Sequence, residues 1–145
     1  MQFDIVIIGG GLAGLCCGIE LLKQGKRCAL VSTGQNALHF SSGSFDLLNH
    51  LPDGTQVEYP IEALNSLMLQ EPTHPYVVMG TDKIADLAQQ AKTLLTEAGI
   101  ALKGDHHKNH QRITPLGGLR GTCMRAVDVP TPGLGEGFPW QSLAI

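Results

Sequence analysis

Over the first thirty residues the apolar positions fall into three blocks of different spacing. Phe3 to Ile8 is a β-branched run, Leu12, Leu15, Cys16, Ile19 and Leu22 recur at helical intervals, and Arg27 to Val31 (RCALV) is a second short apolar run. The pattern predicts a buried strand, a helix from about Leu12 to Gln24 stopped by Gly25, and a second strand. A right-handed crossover makes those strands parallel and adjacent. Farther on, Ile61 to Gln70 (IEALNSLMLQ) reads as a short helix ended by Pro72 and Pro75. Thr81 reads as the N-cap of a longer amphipathic helix, with Ile84, Leu87, Ala88, Ala91, Leu94, Leu95 and Ala98 on one face up to Gly99. Ile100 to Lys103 fits a short strand, and Gly104 to Thr122 a β-hairpin.

Where the first strand meets the first helix, the chain reads IVIIGGGLAGL, and Gly9, Gly11 and Gly14 stand at G-x-G-x-x-G spacing. Each glycine has its own task. Gly9 permits the tight turn, Gly11 leaves bare backbone for a phosphate or pyrophosphate, and Gly14 lets the helix sit close on the strand. The anion would meet unpaired N–H groups and the positive end of the helix dipole. A P-loop is excluded, because no Gly-Lys-Ser/Thr follows the turn. The turn reads as a cradle for a dinucleotide or a flavin nucleotide.

The fold class that follows is α/β: a Rossmann-like FAD/NAD(P)-binding β-α-β unit with parallel strands, an incomplete sheet and a β-hairpin segment. Residues 1–125 form the N-terminal part of a flavin- or dinucleotide-binding domain. Residues 126–145 carry Pro130, Pro132, Pro139, Gly133, Gly135 and Gly137, a pattern too broken for sheet or helix. That tail reads as irregular, with Phe138 and Trp140 left unpacked.

The end of the second strand narrows the choice of ligand. Dinucleotide fingerprints place Asp or Glu there to hold the ribose hydroxyls, whereas this chain has Ser32 and Thr33. A hydroxyl cannot grip a vicinal diol bidentately, so NAD is disfavoured. No arginine stands there to receive a 2′-phosphate, which leaves NADP no better supported. FMN, which has no adenosine ribose, is the preferred cofactor, with FAD as the alternative.

Ala37 to Gly54 is a long polar loop in which Ser41, Ser42, Gly43 and Ser44 offer hydroxyls and amides with little bulk, suited either to a ring system or phosphate or to an ordinary solvated turn. His39 and His50 flank it and read as solvated. Arg112 and Arg120, set around Thr114 and Pro115, are the candidates for holding a substrate anion, against a plain reading as surface charge. Asp105, His106, His107 and His110 crowd one polar loop without a distant partner, so a solvated turn and no metal is the expectation. Cys16, Cys17, Cys28 and Cys123 show no paired spacing and read as packed free thiols.

Composition adds exclusions. Of 145 residues 43% are hydrophobic and 16% charged, which is globular and not disordered. A net charge of −3 gives no electrostatic case for nucleic acid. No apolar run approaches a membrane span, and the N-terminus enters a strand directly, so the expected location is cytoplasmic or docked on a membrane partner.

The run from Val6 to Gly54, with HPY at His74 to Tyr76 and HQRITPLGGLR at His110 to Arg120, closely resembles the B subunit of bacterial anaerobic glycerol-3-phosphate dehydrogenase. The resemblance implies an FAD/NAD(P)-binding flavoprotein fold with FMN. It also implies a second flavoprotein subunit and a membrane-anchored iron–sulfur subunit as partners, peripheral to the inner membrane. Such an assembly oxidises sn-glycerol 3-phosphate to dihydroxyacetone phosphate and passes electrons through quinone to fumarate or nitrate. Carried over, Gly9, Gly10, Gly11 and Gly14 would hold the flavin phosphate, and Ser41 to Ser44 would lie near the flavin. No residue is singled out as catalytic base. Family members are about three times longer, and past Met124 the likeness is expected to stop, as in a frameshifted or truncated product. Two other readings stay open: a non-catalytic remnant or docking module without flavin, and a stand-alone NAD(P)-binding module.

Overall fold

A computed structural model describes residues 2–34 and 37–132. The chain divides into two compact units, Met1–Ser41 and Ser42–Ile145.

In the first unit, β1 (Ile5–Ile8) runs into α1 (Leu12–Lys23), which returns the chain to β2 (Cys28–Val31). β1 and β2 are parallel, in register from Ile5 opposite Cys28 to Ile8 opposite Val31. The helix stops where Gly25 takes φ +74°. There Lys26 N–H donates to the Leu21 carbonyl at 3.0 Å and Gly25 N–H to that of Leu22 at 2.9 Å, the paired bonds of a Schellman ending. At the opposite end of the strands, the Asp4 carboxylate accepts from the Arg27 backbone N–H at 2.8 Å and pairs with its guanidinium at 3.1 Å. Arg27 holds the Asp4 carboxyl below its usual range.

The expected buried strand is shorter and wetter than its pattern implied. It starts at Ile5, and within it Ile7 is buried while Val6 and Ile8 are exposed. No residue of α1 is buried. Two strands and one helix cannot cover both faces of a parallel sheet, which ordinarily has helices on each side.

The second unit begins with the short strand β3 (Ser44–Phe45), followed by α2 (Leu64–Gln70), α3 (Pro75–Met79) and α4 (Thr81–Glu97). Then come β4 (Leu102–Gly104), β5 (His110–Ile113), β6 (Leu119–Thr122) and β7 (Met124–Ala126). β7 lies between β3 and β4, antiparallel to both. β5 and β6 form the expected hairpin. Its turn is closed by Thr114 N–H donating to the Gly118 carbonyl at 2.8 Å. The core gathers Leu48, Val57, Leu64, Leu67 and Ile84, with Tyr76 and Val77 packed against it.

Several element ends differ from expectation, among them the start of α2, at Leu64 and not Ile61. Gly80, at φ +98°, occupies the N-cap of α4, and Thr81 is already helical. Pro75 does not merely stop the preceding helix; it opens α3 at the first position, where a missing N–H costs nothing. His74 caps that helix, its Nδ1 accepting from Tyr76 N–H at 3.1 Å. The expected strand at Ile100 to Lys103 is shifted to Leu102–Gly104, its place fixed by pairing with β7. Among the described residues no helix is long and apolar enough to cross a membrane. Of the expected irregular tail, residues up to Pro132 are described, and Phe138 and Trp140 lie outside the described residues.

Candidate functional site

The three tasks assigned to the glycines have three separate signatures in the turn between β1 and α1. Gly9 takes φ +108°, a conformation that side chains rarely adopt, and its N–H donates to the Val31 carbonyl at 2.8 Å. Gly14 packs against this turn: a Cβ there would collide with the Gly9 carbonyl oxygen and stand 3.4 Å from Ile7 Cγ2. Gly18, one helical turn on, approaches Ile7 in the same way, its notional Cβ 3.3 Å from Ile7 Cδ1. Gly11 is different, because among the described residues nothing beyond its chain neighbours and its own helix lies within 4 Å of where its Cβ would be.

Gly11 is also the N-cap of α1, with φ −75° and ψ 179° and no capping side chain. The opening turn therefore presents backbone N–H groups that no side chain caps, at the positive end of a twelve-residue helix whose first turn has no acidic residue. A phosphate fits there by space and by charge. Gly10 is buried between these two positions. Ser32 and Thr33 follow directly on β2 and are exposed, with Gly34 turning the chain at φ +73°.

The serine-rich loop is split between the units. Ser41 ends the first, its N–H donating to the Leu38 carbonyl at 3.0 Å. Ser42, Gly43 and Ser44 belong to the second, where the Ser42 and Ser44 hydroxyls lie 2.9 Å apart. Gly43, at φ +65°, accepts from Ala126 N–H at 2.7 Å, and Ser44 stands opposite Arg125 in the β3–β7 pair. This part of the loop is a strand-forming element, which its composition did not reveal.

Arg112 and Arg120 face each other in register across the hairpin. Their environments diverge. Arg120 is exposed and pairs with Asp46, Nε to Oδ2 at 3.3 Å. Arg112 is 4% exposed, and its buried Nε has no hydrogen-bond acceptor among the described residues. The plain reading as surface charge is thus wrong for Arg112. Arg125, which sequence reasoning passed over, is buried as well; its Nη1 donates to the Val129 carbonyl at 2.6 Å, while its Nε lacks a partner among the described residues.

The histidine loop is not simply solvated. His106 is buried, its ring 4.0 Å from that of His107, and burial and then the charge of His107 push its pKa down. His110 is lowered too, by burial first and then by the Arg125 charge. Asp105 accepts from His107 N–H at 2.9 Å and stays below its usual carboxylate range for that reason. Among the described residues no group of three His, Cys, Asp or Glu is placed to hold a metal. Beside this loop Asn109 ties strand to loop, donating to the carbonyls of Leu48 at 2.9 Å and Val57 at 2.8 Å. An asparagine in a polar turn carries no sequence signal for that role.

The cysteines are free thiols, though unequally packed: Cys123 is buried, Cys16 and Cys28 are half-buried and Cys17 is exposed. Burial pushes the Cys123 thiol up to about 11.

The family model of the FAD binding domain matches residues 4–143. The chain belongs to that family. Its α/β, Rossmann-like character follows, and the two short sheets and the hairpin of the second unit are partial sheets of that fold. The chain is 55% identical over 136 residues to a Pectobacterium atrosepticum protein named as the B subunit of anaerobic glycerol-3-phosphate dehydrogenase, covering 94% of this chain and 32% of that one. It is 54% identical over 146 residues to the protein of that name from Yersinia enterocolitica and 49% identical over 145 residues to that from Haemophilus ducreyi. Each of those two matches covers 100% of this chain and 34% of the relative. The chain thus spans about a third of the length of the curated relatives it matches. No solved structure matches it. The expected break in likeness after Met124 is overturned, since similarity runs through the Pro/Gly-rich tail to the end of the chain.

Proposed function

We propose that the chain is the flavin-binding portion of a B subunit of anaerobic glycerol-3-phosphate dehydrogenase, with the flavin phosphate on the turn Gly9 to Gly14. The open space at Gly11, at the uncapped start of α1, carries the reading. Gly9 shapes the turn, Gly10 and Gly11 bring backbone to the phosphate, and Gly14 holds the helix dipole against it. The flavin supplies a hydride acceptor when bound, and the protein supplies placement. We assign FMN because Ser32 and Thr33 offer no carboxylate for an adenosine ribose, although the family description favours FAD. In the complete assembly this polypeptide would dock on a second flavoprotein subunit and a membrane-anchored iron–sulfur subunit at the inner membrane. Oxidation of sn-glycerol 3-phosphate would there deliver electrons to quinone.

The test is the visible spectrum of the purified chain, with any released chromophore identified. A yellow protein releasing FMN is the expected result; released FAD would reassign the cofactor. A second reading is favoured by the sparse cover of the first unit, where Val6 and Ile8 are exposed and no residue of α1 is buried. On that reading it is a module that keeps the fold and binds no flavin. A colourless protein that takes up neither added flavin would establish it.

A further inference from the structure

Along one flank of the first unit an apolar seam runs from helix to strand. On α1, Leu12, Leu15, Ile19 and Leu22 recur at intervals of three, four and three residues, the spacing of a coiled-coil seam, and all four are 37–60% exposed. Gly14 and Gly18 turn toward Ile7, and at about 100° per residue the row lies about 80–160° round the helix from Gly14. In a right-handed crossover that flank is the one over β2. Leu30 of β2 is opposite Ile7 in the ladder, so it shares the helix side of the sheet, and there it is 42% exposed.

The backbone of β2 is unpaired along the same flank. The Arg27 carbonyl accepts from Asp4 N–H at 2.9 Å and the Val31 carbonyl from Gly9 N–H at 2.8 Å, so both face β1 and the turn after it. Strand alternation then aims the N–H and carbonyl of Leu30 the other way. Among the described residues no third strand lies on that side. Nor does β2, Cys28 to Val31, carry a charge or a proline of the kind that guards such an edge against pairing.

We propose that a second copy of this chain covers the seam, β2 pairing antiparallel with β2 and Leu30 on the two-fold axis. The dimensions of the two layers agree. Because α1 packs over both β1 and β2, joining two β2 edges sets the helices two strand spacings apart, about 9.4–9.8 Å, within the 8–10 Å of packed helices. One register serves both layers. Leu30 exchanges backbone hydrogen bonds with its copy, while above it Leu15 meets Ile19 and Leu12 meets Leu22. Arg27 falls opposite Thr33, so no like charges meet, and the helix dipoles run antiparallel. A two-fold contact uses the same patch on both copies and closes at two. The patch is a strip about 18 Å long, the length of twelve helical residues, and about 20 Å deep through helix and strand. That size is the small end of specific interfaces, below about 1,200 Å² in total, which sets a reversible dimer with a dissociation constant of about 10 µM or weaker.

Sedimentation equilibrium of the complete chain, from about 1 µM to about 500 µM, tests it. The mean mass should rise with concentration from 15.5 kDa toward twice that value and go no higher. Leu15→Lys and Ile19→Glu should each hold the chain at 15.5 kDa with a native circular dichroism spectrum, since both positions are partly exposed on the helix surface. Mixing those two variants should restore association, because the substituted positions face each other in the mixed pair. Leu30→Pro, which removes an edge N–H and leaves the bonds to β1, should weaken association about tenfold or more. A chain that stays at 15.5 kDa at every concentration would overturn the proposal and leave the seam to sequence that the relatives have and this chain does not. Growth beyond two copies would overturn it too, as the mark of open pairing through the β1 edge. So would a Leu15→Lys protein with a native spectrum and undiminished association.

Discussion

Replacing two glycines of one turn should separate folding from ligand binding. At Gly14 a Cβ would collide with the Gly9 carbonyl oxygen. An unstrained carbon–oxygen contact is about 3.3–3.6 Å, so the start of α1 would have to retreat from the turn by about 1 Å. Alanine recovers about 1 kcal/mol of helix propensity over glycine, whereas such overpacking costs about 1–3 kcal/mol. The obstacle is backbone and cannot swing aside, which places Gly14→Ala toward the upper end, a net loss of about 1–2 kcal/mol. At Gly11 the same addition meets none of the described residues beyond its chain neighbours within 4 Å, and φ is −75°, so Gly11→Val gives up about 1 kcal/mol or less of N-cap preference. Its side chain instead fills the space proposed for phosphate. Losing two hydrogen bonds to a charged group, about 1.5 kcal/mol each, weakens flavin binding about a hundredfold. Urea denaturation and flavin fluorescence titration of both variants read the two effects apart. A Gly14→Ala protein as stable as the parent would refute the close-packing account. Unchanged flavin affinity in Gly11→Val would refute the phosphate assignment.

Three further outcomes are expected. Leu67 is 1% exposed at the centre of the second unit's core, so Leu67→Ala should cost about 2–5 kcal/mol in urea denaturation; a change below about 1 kcal/mol would show that the core lies elsewhere. His106 and His110 have pKa values lowered below the ordinary 6.5 by burial, so the unfolded chain binds more protons than the folded one as pH falls through 6.5 toward their folded values. Stability should be full above pH 6.5 and decline through that window, and a His106→Gln, His110→Gln double variant should flatten the decline; an identical profile would remove them as its cause. Cys123, buried and pushed up to about 11, should resist a thiol reagent at neutral pH until the chain is denatured, while exposed Cys17 reacts first. Labelling of Cys123 at the rate of Cys17 would contradict the packing around β7.

What the sequence revealed was local. The β1–α1–β2 unit and the β5–β6 hairpin join segments close in sequence, so apolar spacing and turn residues report them directly. Ser44 and Phe45 gave no such signal, because their strand is defined by Met124 and Arg125, some eighty residues away. The same limit hid Asn109, whose partners are carbonyls at 48 and 57, and made Pro75 look like a stop when it begins a helix. The pattern of β1 was misleading in the opposite sense: its residues are apolar enough for burial on both faces, but the described chain covers little beyond Ile7.

By itself the sequence determined the glycine turn, since a strand, three glycines at fixed spacing and a helix leave the backbone few conformations, and steric exclusion acts within a few residues. It also determined, through Ser32, that the end of β2 brings no carboxylate to a ribose. Only the tertiary structure decided which of two similar hairpin arginines is buried and which is exposed. Arg112 and Arg120 stand opposite one another on one ladder, yet the segment after β7 bonds to β5, Ile113 N–H donating to the Pro130 carbonyl at 3.0 Å, whereas Arg120 stays exposed and pairs with Asp46. Burial depends on what packs from elsewhere in the chain, and no spacing within the hairpin encodes that.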